Sequence, residues 1–181
     1  MKISTDEKNI IRISKLTNAH ESEKMKGRLL TGKIGEHLVM IELLKNRIDG
    51  IILGENNLLG VSDIITSYGI NIEVKSSIYK EHLKKSGNIY KAGWGFNALH
   101  RSNATFIVLC LLEKDFSLYR MLTYKKYDLK SDSFFYLRPS EVNLNTGNRG
   151  PQQRESIIDE VHNGIDIIVK EYIKNAAISK F

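Results

Sequence analysis

GVSDIITSYGINIEVKSS, residues 60–77, contains two short apolar segments on either side of a turn. The β-branched residues in both segments predict two antiparallel strands, that is, a β-hairpin. Successive side chains of a strand point to opposite faces, so Glu73 and Lys75 project from the same face of the second strand. Which residue of the first strand lies opposite them depends on the register of the hairpin.

The length of the loop decides that register. A two-residue loop, residues 68–69, would put Asp63 on the face of Val74, whereas a three-residue loop, residues 67–69, places Asp63 directly across from Glu73. Three-residue hairpin loops need a left-handed residue at their end, and a glycine ends this one without a Cβ clash. We therefore predict the three-residue loop. One face then carries Asp63, Ile65, Asn71, Glu73 and Lys75, and the other carries Ile64, Thr66, Ile70, Ile72 and Val74.

Two carboxylates on this predicted hairpin need a cation. Asp63 and Glu73 would lie about 5 Å apart, where like charges repel each other, and Lys75 compensates only part of their charge. A divalent cation held by both carboxylates would compensate the rest, since hard oxygen ligands suit Mg²⁺. Lys75, one pleat further along, would then orient or help deprotonate a water molecule on the ion. These groups are suited to hydrolysis of a phosphodiester.

The same residues resemble a known family. Asp63, a turn and then Glu-Val-Lys at residues 73–75 look like the signature of the PD-(D/E)XK nuclease superfamily, with Ser62 where the family has its proline. The segment TGKIGEHLVM, residues 31–40, strengthens the resemblance. The resemblance implies a helix there, whose Glu36 points into the same metal site. It covers residues 26–77 well and residues 104–112 loosely.

The resemblance implies a metal-dependent DNA endonuclease with a restriction-endonuclease-like core. Such an enzyme is either structure-selective, like Holliday junction resolvases, or sequence-selective, like restriction enzymes. Asp63, Glu73 and the carbonyl of Val74 would hold Mg²⁺, for which Mn²⁺ can substitute, and Glu36 would bind a second ion or a water on the first. Lys75 would position the attacking water. The resolvase-like variant also predicts a homodimer that acts on branched DNA.

The composition is that of an ordinary globular chain. Its 181 residues fit a single domain, residues 1–181, with a sizeable core. The start, MKISTDEKNI, lacks the apolar core of a signal peptide, and no apolar run approaches the roughly 20 residues of a membrane helix. We therefore expect a cytoplasmic protein with no membrane partner. The single cysteine, Cys110, lies within FIVLCLL and is predicted to fill the core.

The segment of residues 78–101 is basic and aromatic, and the whole chain has a net charge of +6. Basic residues interleaved with aromatic ones suit a surface that follows a nucleic-acid backbone. Hydroxyls can also bind phosphate. The predicted DNA contacts are Ser76, Ser77, Lys80, Lys84, Lys85, Lys91, Trp94 and Arg101. Two alternatives stay open, because the two serines could simply end the strand and Trp94 could point into the core together with Phe96.

The remaining pattern predicts an α/β fold with a mixed central sheet of four to five strands flanked by helices. Apolar spacings of three and four predict a helix over about residues 23–48, ended by a left-handed Gly50. Strands are predicted over residues 51–53, 104–112 and 117–123 in addition to the hairpin. Residues 1–24 are interpreted as an N-terminal arm, residues 25–150 as the catalytic core, and residues 151–181 as a C-terminal helix that begins near Pro151.

Two other classes of protein compete with the endonuclease. A non-catalytic nucleic-acid-binding module would keep the fold without using a metal, but binding alone does not require a carboxylate pair that repels phosphate. A structural or assembly subunit would rely on the C-terminal helix. That class predicts that charge reversal at Lys84 and Lys85 leaves function unchanged.

Overall fold

The computed structural model describes residues 23–53, 62–81, 83–85, 88–90, 92–97, 104–125, 134–139 and 162–179. Within these ranges, one helix precedes the strands in the chain and one follows them. The elements are α1 (Glu23–Lys45), β1 (Gly50–Ile52), β2 (Ile64–Thr66), β3 (Asn71–Ile78), β4 (Leu83–Lys85), β5 (Asn88–Tyr90), β6 (Trp94–Asn97), β7 (Phe106–Leu112), β8 (Leu118–Lys125), β9 (Phe134–Leu137), β10 (His162–Asn163) and α2 (Asp166–Ile178). The predicted arm over residues 1–24 lies almost entirely outside the described residues.

The central sheet is mixed, as predicted, and has the strand order β1-β2-β3-β7-β8-β10. β3 and β7 are parallel, and the other neighbours are antiparallel. The six strands exceed the four to five that the sequence predicted. The additional strand is β10, which lies within the segment predicted as helix. Two further pairs, β4-β5 and β6-β9, form separate two-stranded sheets.

The predicted register of the hairpin is confirmed. Ile64 pairs with Ile72, and the N–H of Thr66 donates to the carbonyl oxygen of Ile70 at 3.0 Å, which leaves a loop of three residues. The last of these, Gly69, has a φ of 74°, the left-handed conformation that the loop requires. The apolar face of the hairpin is buried, whereas the face that carries Asp63 is partly exposed.

The end of α1 differs from the prediction. The left-handed residue is Arg47, with a φ of 58°, and Gly50 is instead the first residue of β1. The N–H of Ile48 donates to the carbonyl of Leu43 at 3.0 Å, and the N–H of Arg47 donates to the carbonyl of Leu44 at 2.9 Å. This is a Schellman cap, and the buried Ile48 and Leu43 supply its apolar contact. A Cβ at Gly50 would lie 3.0 Å from the carbonyl oxygen of Ile65, so a larger residue there would make a tight contact with β2.

The predicted C-terminal helix is interrupted at residues 162–164 and α2 begins at Asp166, while the predicted start near Pro151 lies outside the described residues. His162 and Asn163 pair with β8, and Gly164 follows with a φ of 62°. A residue in the left-handed region interrupts helical geometry, so a helix that includes Ile165 cannot extend back through this turn. Residues 151–161 lie outside the described part of the chain.

Both faces of the sheet are covered by apolar side chains. Helices α1 and α2 pack on one face, in a core whose largest members include Ile34, Leu43, Ile48, Ile64, Ile72, Phe106 and Ile168. The β6-β9 pair packs on the other face, in a core of Trp94, Phe96, Ile107, Leu109, Leu111, Leu122, Tyr124 and Leu137. β7 contributes to both cores and is buried along its whole length, which confirms the predicted central strand. No helix in the described ranges is long and apolar enough to cross a membrane.

Candidate active site

Asp63 lies immediately before β2 and is attached to β3 by two hydrogen bonds. Its backbone N–H donates to the carbonyl oxygen of Ile72 at 2.9 Å, which extends the antiparallel ladder and places Asp63 opposite Glu73. Its side-chain Oδ2 accepts a hydrogen bond from the N–H of Val74 at 2.7 Å. The carboxylate thus satisfies a backbone donor at the point where the β2-β3 ladder ends.

The carbonyl of Val74 faces the same side of β3 as Asp63. Backbone bonds of β3 alternate between its neighbours: the carbonyl of Asn71 and the N–H of Tyr79 bond toward β7, whereas the carbonyl of Ile72 bonds toward β2. The N–H and C=O of one strand residue point to the same side. Since the N–H of Val74 binds Asp63, the carbonyl of Val74 points to that side too.

The two carboxylates influence each other electrostatically. Burial raises the pKa of Asp63, and the negative charge of Glu73 raises it further. The hydrogen bond from Val74 and the positive charges of Lys75 and Lys33 act in the opposite direction without cancelling the increase. Lys75 forms an ion pair with Oε1 of Glu73, whose side chain is only 13% exposed. The two lysines therefore only partly offset the effects of burial and of Glu73 on the pKa of Asp63.

Lys33 on α1 is a member of this site that the sequence did not reveal. Its charge lowers the pKa of Asp63, and its Nζ lies 3.5 Å from Oε2 of Glu36. Burial lowers the pKa of His37, and Lys33 lowers it further, so this imidazole is neutral at neutral pH. The spacing of Lys33 and Glu36, three residues apart on a helix, was the available signal.

The expected role of Glu36 is not matched by this arrangement. Glu36 is largely buried on α1, but its ion pair is with Lys33. Across the described stretches, no three side chains of histidine, cysteine, aspartate or glutamate lie close enough together to hold a metal ion. Asp63 and Glu73 are thus brought together, and Glu36 does not join them as a third ligand.

Tyr124 on β8 is the second residue that the sequence did not single out. Its side chain is fully buried, and burial raises its pKa well above the usual value, with the charge of Glu73 adding to the increase. Its hydroxyl has no hydrogen-bond partner. Only the pairing of β3, β7 and β8 places this tyrosine near Glu73, so no local signal could have identified it.

Three of the predicted DNA contacts are wrong because the structure buries their functional atoms. Trp94 is 1% exposed, and its indole N–H donates to the carbonyl oxygen of Leu112 at 2.8 Å. The hydroxyl of Ser77 accepts a hydrogen bond from the N–H of Gly95 at 3.1 Å and is covered by β6. The hydroxyl of Ser76 is buried under α1, where a Cβ on Gly35 would lie 1.7 Å from it. None of these groups can contact a phosphate without a rearrangement of the core.

The predicted basic contacts are placed only in part. Lys80 is exposed, and its backbone forms a two-bond bridge with Gly93. Lys84 and Lys85 belong to β4, which pairs with β5. Lys91 and Arg101 lie outside the described residues. The location of a basic surface beside the carboxylates therefore stays a prediction.

Comparison with protein-family models finds no family that matches this chain. Comparison with curated proteins finds no match either. What the chain does must therefore be inferred from its own side chains.

Proposed function

We propose that this protein is a Mg²⁺-dependent DNA endonuclease that hydrolyses phosphodiester bonds. The observation that carries the proposal is the register of the β2-β3 hairpin, which sets Asp63 opposite Glu73, the ion-pair partner of Lys75. A partly buried carboxyl group such as Asp63, whose pKa is raised by burial and by the charge of a neighbouring carboxylate, is typical of functional sites. This combination of two carboxylates and a lysine is best suited to a divalent cation that in turn binds a phosphate.

The donor set fits Mg²⁺. Asp63 lies across from Glu73, and the carbonyl of Val74 points toward the Asp63 side of β3. Mg²⁺ commonly binds through one or two carboxylates while it keeps several waters. Mn²⁺ accepts the same oxygen ligands and can substitute. A bound ion would supply Lewis acidity and lower the pKa of a water molecule. Glu36 would not bind this ion directly and would influence the site through its ion pair with Lys33.

The chain's own groups then have distinct tasks. Asp63 and Glu73 provide negative charge for the cation, and the hydrogen bond from Val74 fixes the orientation of Asp63. Lys75 leaves its partner Glu73 to stabilise the negative charge that develops on the phosphate during hydrolysis, since ammonium groups aimed at developing charge lower the barrier. Lys33 provides a second positive charge on the α1 side.

Cleavage assays test the proposal. Supercoiled plasmid and a synthetic four-way junction are incubated with the protein in Mg²⁺, Mn²⁺ or EDTA. We expect metal-dependent cutting that Asp63→Asn abolishes and that Lys75→Ala reduces by about 10²- to 10³-fold. Asparagine is chosen because its carbonyl can still accept the hydrogen bond from Val74.

Matched controls use an exposed ion pair at the end of α1. Lys45 lies 3.2 Å from Glu42 at the surface, so Glu42→Gln and Lys45→Ala remove the same kinds of charge away from the site. These variants should cut as the unaltered protein does. Cutting that persists in EDTA, or that survives Asp63→Asn, would contradict the proposal. The preferred substrate distinguishes a structure-selective from a sequence-selective enzyme.

A non-catalytic nucleic-acid-binding module is the second candidate, and one observation favours it. Lys75 pairs with Glu73 and Lys33 pairs with Glu36, so two lysines balance two carboxylates without a metal ion. This candidate predicts DNA binding that is unaffected by EDTA and no cleavage of any substrate. Calorimetric titration with Mn²⁺ separates the two candidates. Only the endonuclease requires that the protein bind Mn²⁺ and that Asp63→Asn lose this binding.

The proposal also includes a homodimeric state and a cytoplasmic location. A resolvase-like enzyme needs two active sites that face a branched substrate, which requires a homodimer, and a DNA substrate agrees with a cytoplasmic protein. Sedimentation equilibrium of the protein with and without a four-way junction measures the number of copies. A monomer on the junction would remove the resolvase-like variant and leave the restriction-like one.

A further inference from the structure

Glu73, Ile107 and Tyr124 form one row across three neighbouring strands. Glu73 of β3 is the partner of Ile107 of β7, and Ile107 is the partner of Tyr124 of β8. Residues that are paired in register project from the same face of a sheet. Neighbouring strands lie ~4.8 Å apart, so the Cα atoms of Glu73 and Tyr124 are about 10 Å apart. A phenol ring and a glutamate side chain together can span that distance.

The hydroxyl of Tyr124 is the polar end of an otherwise apolar cluster. Trp94, Phe96, Leu109 and Leu122 belong to the same buried core. The hydroxyl has no hydrogen-bond partner although the residue is completely buried. Buried polar groups are almost always paired, because an unpaired one loses its bonds to water without replacement. This hydroxyl therefore needs an acceptor.

Glu73 is the charged acceptor that the row supplies. Burial raises the pKa of the Tyr124 phenol, and the negative charge of Glu73 adds to the increase. The phenol consequently stays protonated and can only donate a proton in such a contact. The ion pair with Lys75 uses Oε1 of Glu73, and a carboxylate has two oxygens that each accept more than one bond. The last torsion of a glutamate side chain is broad, so the carboxylate can turn toward the ring.

We propose that Tyr124 is a positioning residue, which donates a hydrogen bond from its hydroxyl to the carboxylate of Glu73 and holds that carboxylate in its cation-binding orientation. The role of the cation rests on the proposed function, whereas the hydrogen bond does not. Because the hydroxyl is buried, Tyr124 acts through Glu73 and does not touch DNA. Groups that orient a metal ligand from behind typically change metal affinity by 10- to 100-fold when they are removed.

The metal-free protein tests the hydrogen bond. In proton NMR spectra, a buried tyrosine hydroxyl that donates to a carboxylate gives a downfield signal in slow exchange with water. Tyr124→Phe assigns the signal by removing it, and Tyr119→Phe, on the same strand but outside the row, should retain it. We expect Glu73→Gln to move the signal upfield, because a neutral amide accepts more weakly than a carboxylate. A signal that Glu73→Gln leaves in place overturns the proposal.

Calorimetric titration with Mn²⁺ tests the positioning role and keeps the two proposals separable. We expect Tyr124→Phe to weaken Mn²⁺ binding by about 10- to 100-fold while Tyr119→Phe leaves it unchanged. Equal Mn²⁺ affinity in Tyr124→Phe and the unaltered protein, with binding still lost in Asp63→Asn, overturns the positioning role and leaves the endonuclease intact. If the unaltered protein binds no Mn²⁺, the proposed function fails, and the NMR signal alone decides whether Tyr124 bonds Glu73.

Discussion

Asp63 has two roles at the scale of a single residue. Its Oδ2 accepts the N–H of Val74, which closes the end of the β2-β3 ladder, and its charge lies close to that of Glu73. The first role needs only an oxygen acceptor, whereas the second makes the ionised form unfavourable. Stability and metal binding therefore place opposite demands on this residue.

The raised pKa of Asp63 predicts how stability depends on pH. Its folded-state pKa lies above the unfolded value, so the folded protein holds the proton more tightly, and this contribution to stability is lost as pH rises through the folded pKa. Asparagine has no carboxyl group to ionise, so Asp63→Asn does not lose stability in this way as the pH rises. We expect the variant to melt about 2–4 °C higher than the unaltered protein at neutral pH without divalent cations, which corresponds to roughly 1 kcal/mol in a chain of this length.

Melting temperatures of both proteins between pH 4 and pH 8 measure the effect. The advantage of Asp63→Asn should grow across the window that begins near the ordinary aspartate pKa of about 3.9. Glu42→Gln, at the exposed pair with Lys45, serves as the control that lacks this trend. Parallel melting curves for Asp63→Asn and the unaltered protein would show that Asp63 carries no such cost.

At the scale of elements, α1 packs directly on β3 at Gly35. A Cβ at that position would lie 1.7 Å from Oγ of Ser76, 3.0 Å from its Cβ and 3.3 Å from Cγ1 of Val74. The missing side chain therefore lets the helix approach the strand that carries Glu73 and Lys75. Gly32, one turn earlier on the same helix, has nothing within 4 Å of such a Cβ.

Gly35 and Gly32 provide a matched pair of substitutions. We expect Gly35→Ala to destabilise the protein by about 1–3 kcal/mol, because overpacking forces α1 away from β3. Gly32→Ala should be stabilising by roughly 0.5–1 kcal/mol, since alanine favours helix over glycine and meets open space. Urea unfolding of both variants provides the measurement. Ser76→Ala in the Gly35→Ala background should recover part of the loss by removing the nearest atom.

A result in which Gly35→Ala is as benign as Gly32→Ala would mean that α1 does not lie against β3 as the structure has it. Such a result would also argue against a role for Lys33 in the site, because Lys33 acts electrostatically on Asp63 from the same helix. The pair of variants thus tests the element packing on which the site depends.

At the scale of the whole molecule, the net charge of +6 favours binding to a polyanion. Each phosphate that the protein neutralises on duplex DNA contributes about −0.9 to the slope of log affinity against log salt concentration. We expect the double variant Lys84→Glu/Lys85→Glu to bind DNA more weakly in EDTA and to reduce the steepness of that slope by roughly 2. Fluorescence anisotropy with a labelled duplex at several salt concentrations gives both quantities.

The control changes the same net charge elsewhere. Lys170→Glu/Lys174→Glu alters two exposed lysines of α2, a helix that packs on the face opposite the β6-β9 pair. If both double variants reduce affinity and slope equally, DNA responds to net charge alone and β4 is not part of a binding surface. An unchanged slope in Lys84→Glu/Lys85→Glu would favour an assembly subunit.

Local sequence was sufficient to predict the hairpin, its register and the central strand. The register of β2 against β3 depends on a three-residue loop and on the alternation of side chains within 15 residues, so its determinants are all local. β7 was predictable because a run of apolar, β-branched residues can only be buried on both faces. The juxtaposition of Asp63 and Glu73 follows from these local rules.

Non-local packing determined the features that the sequence did not predict. Trp94 and Ser77 turn inward because β6 packs against β3. β10 lies just before Gly164, where the helical pattern is interrupted, and pairs with β8. Tyr124 and Glu73 lie in one row of the sheet only because two strands distant in sequence pair on either side of β7. Such contacts depend on which elements come together, and side-chain periodicity shows which face of an element is apolar but not which element covers it.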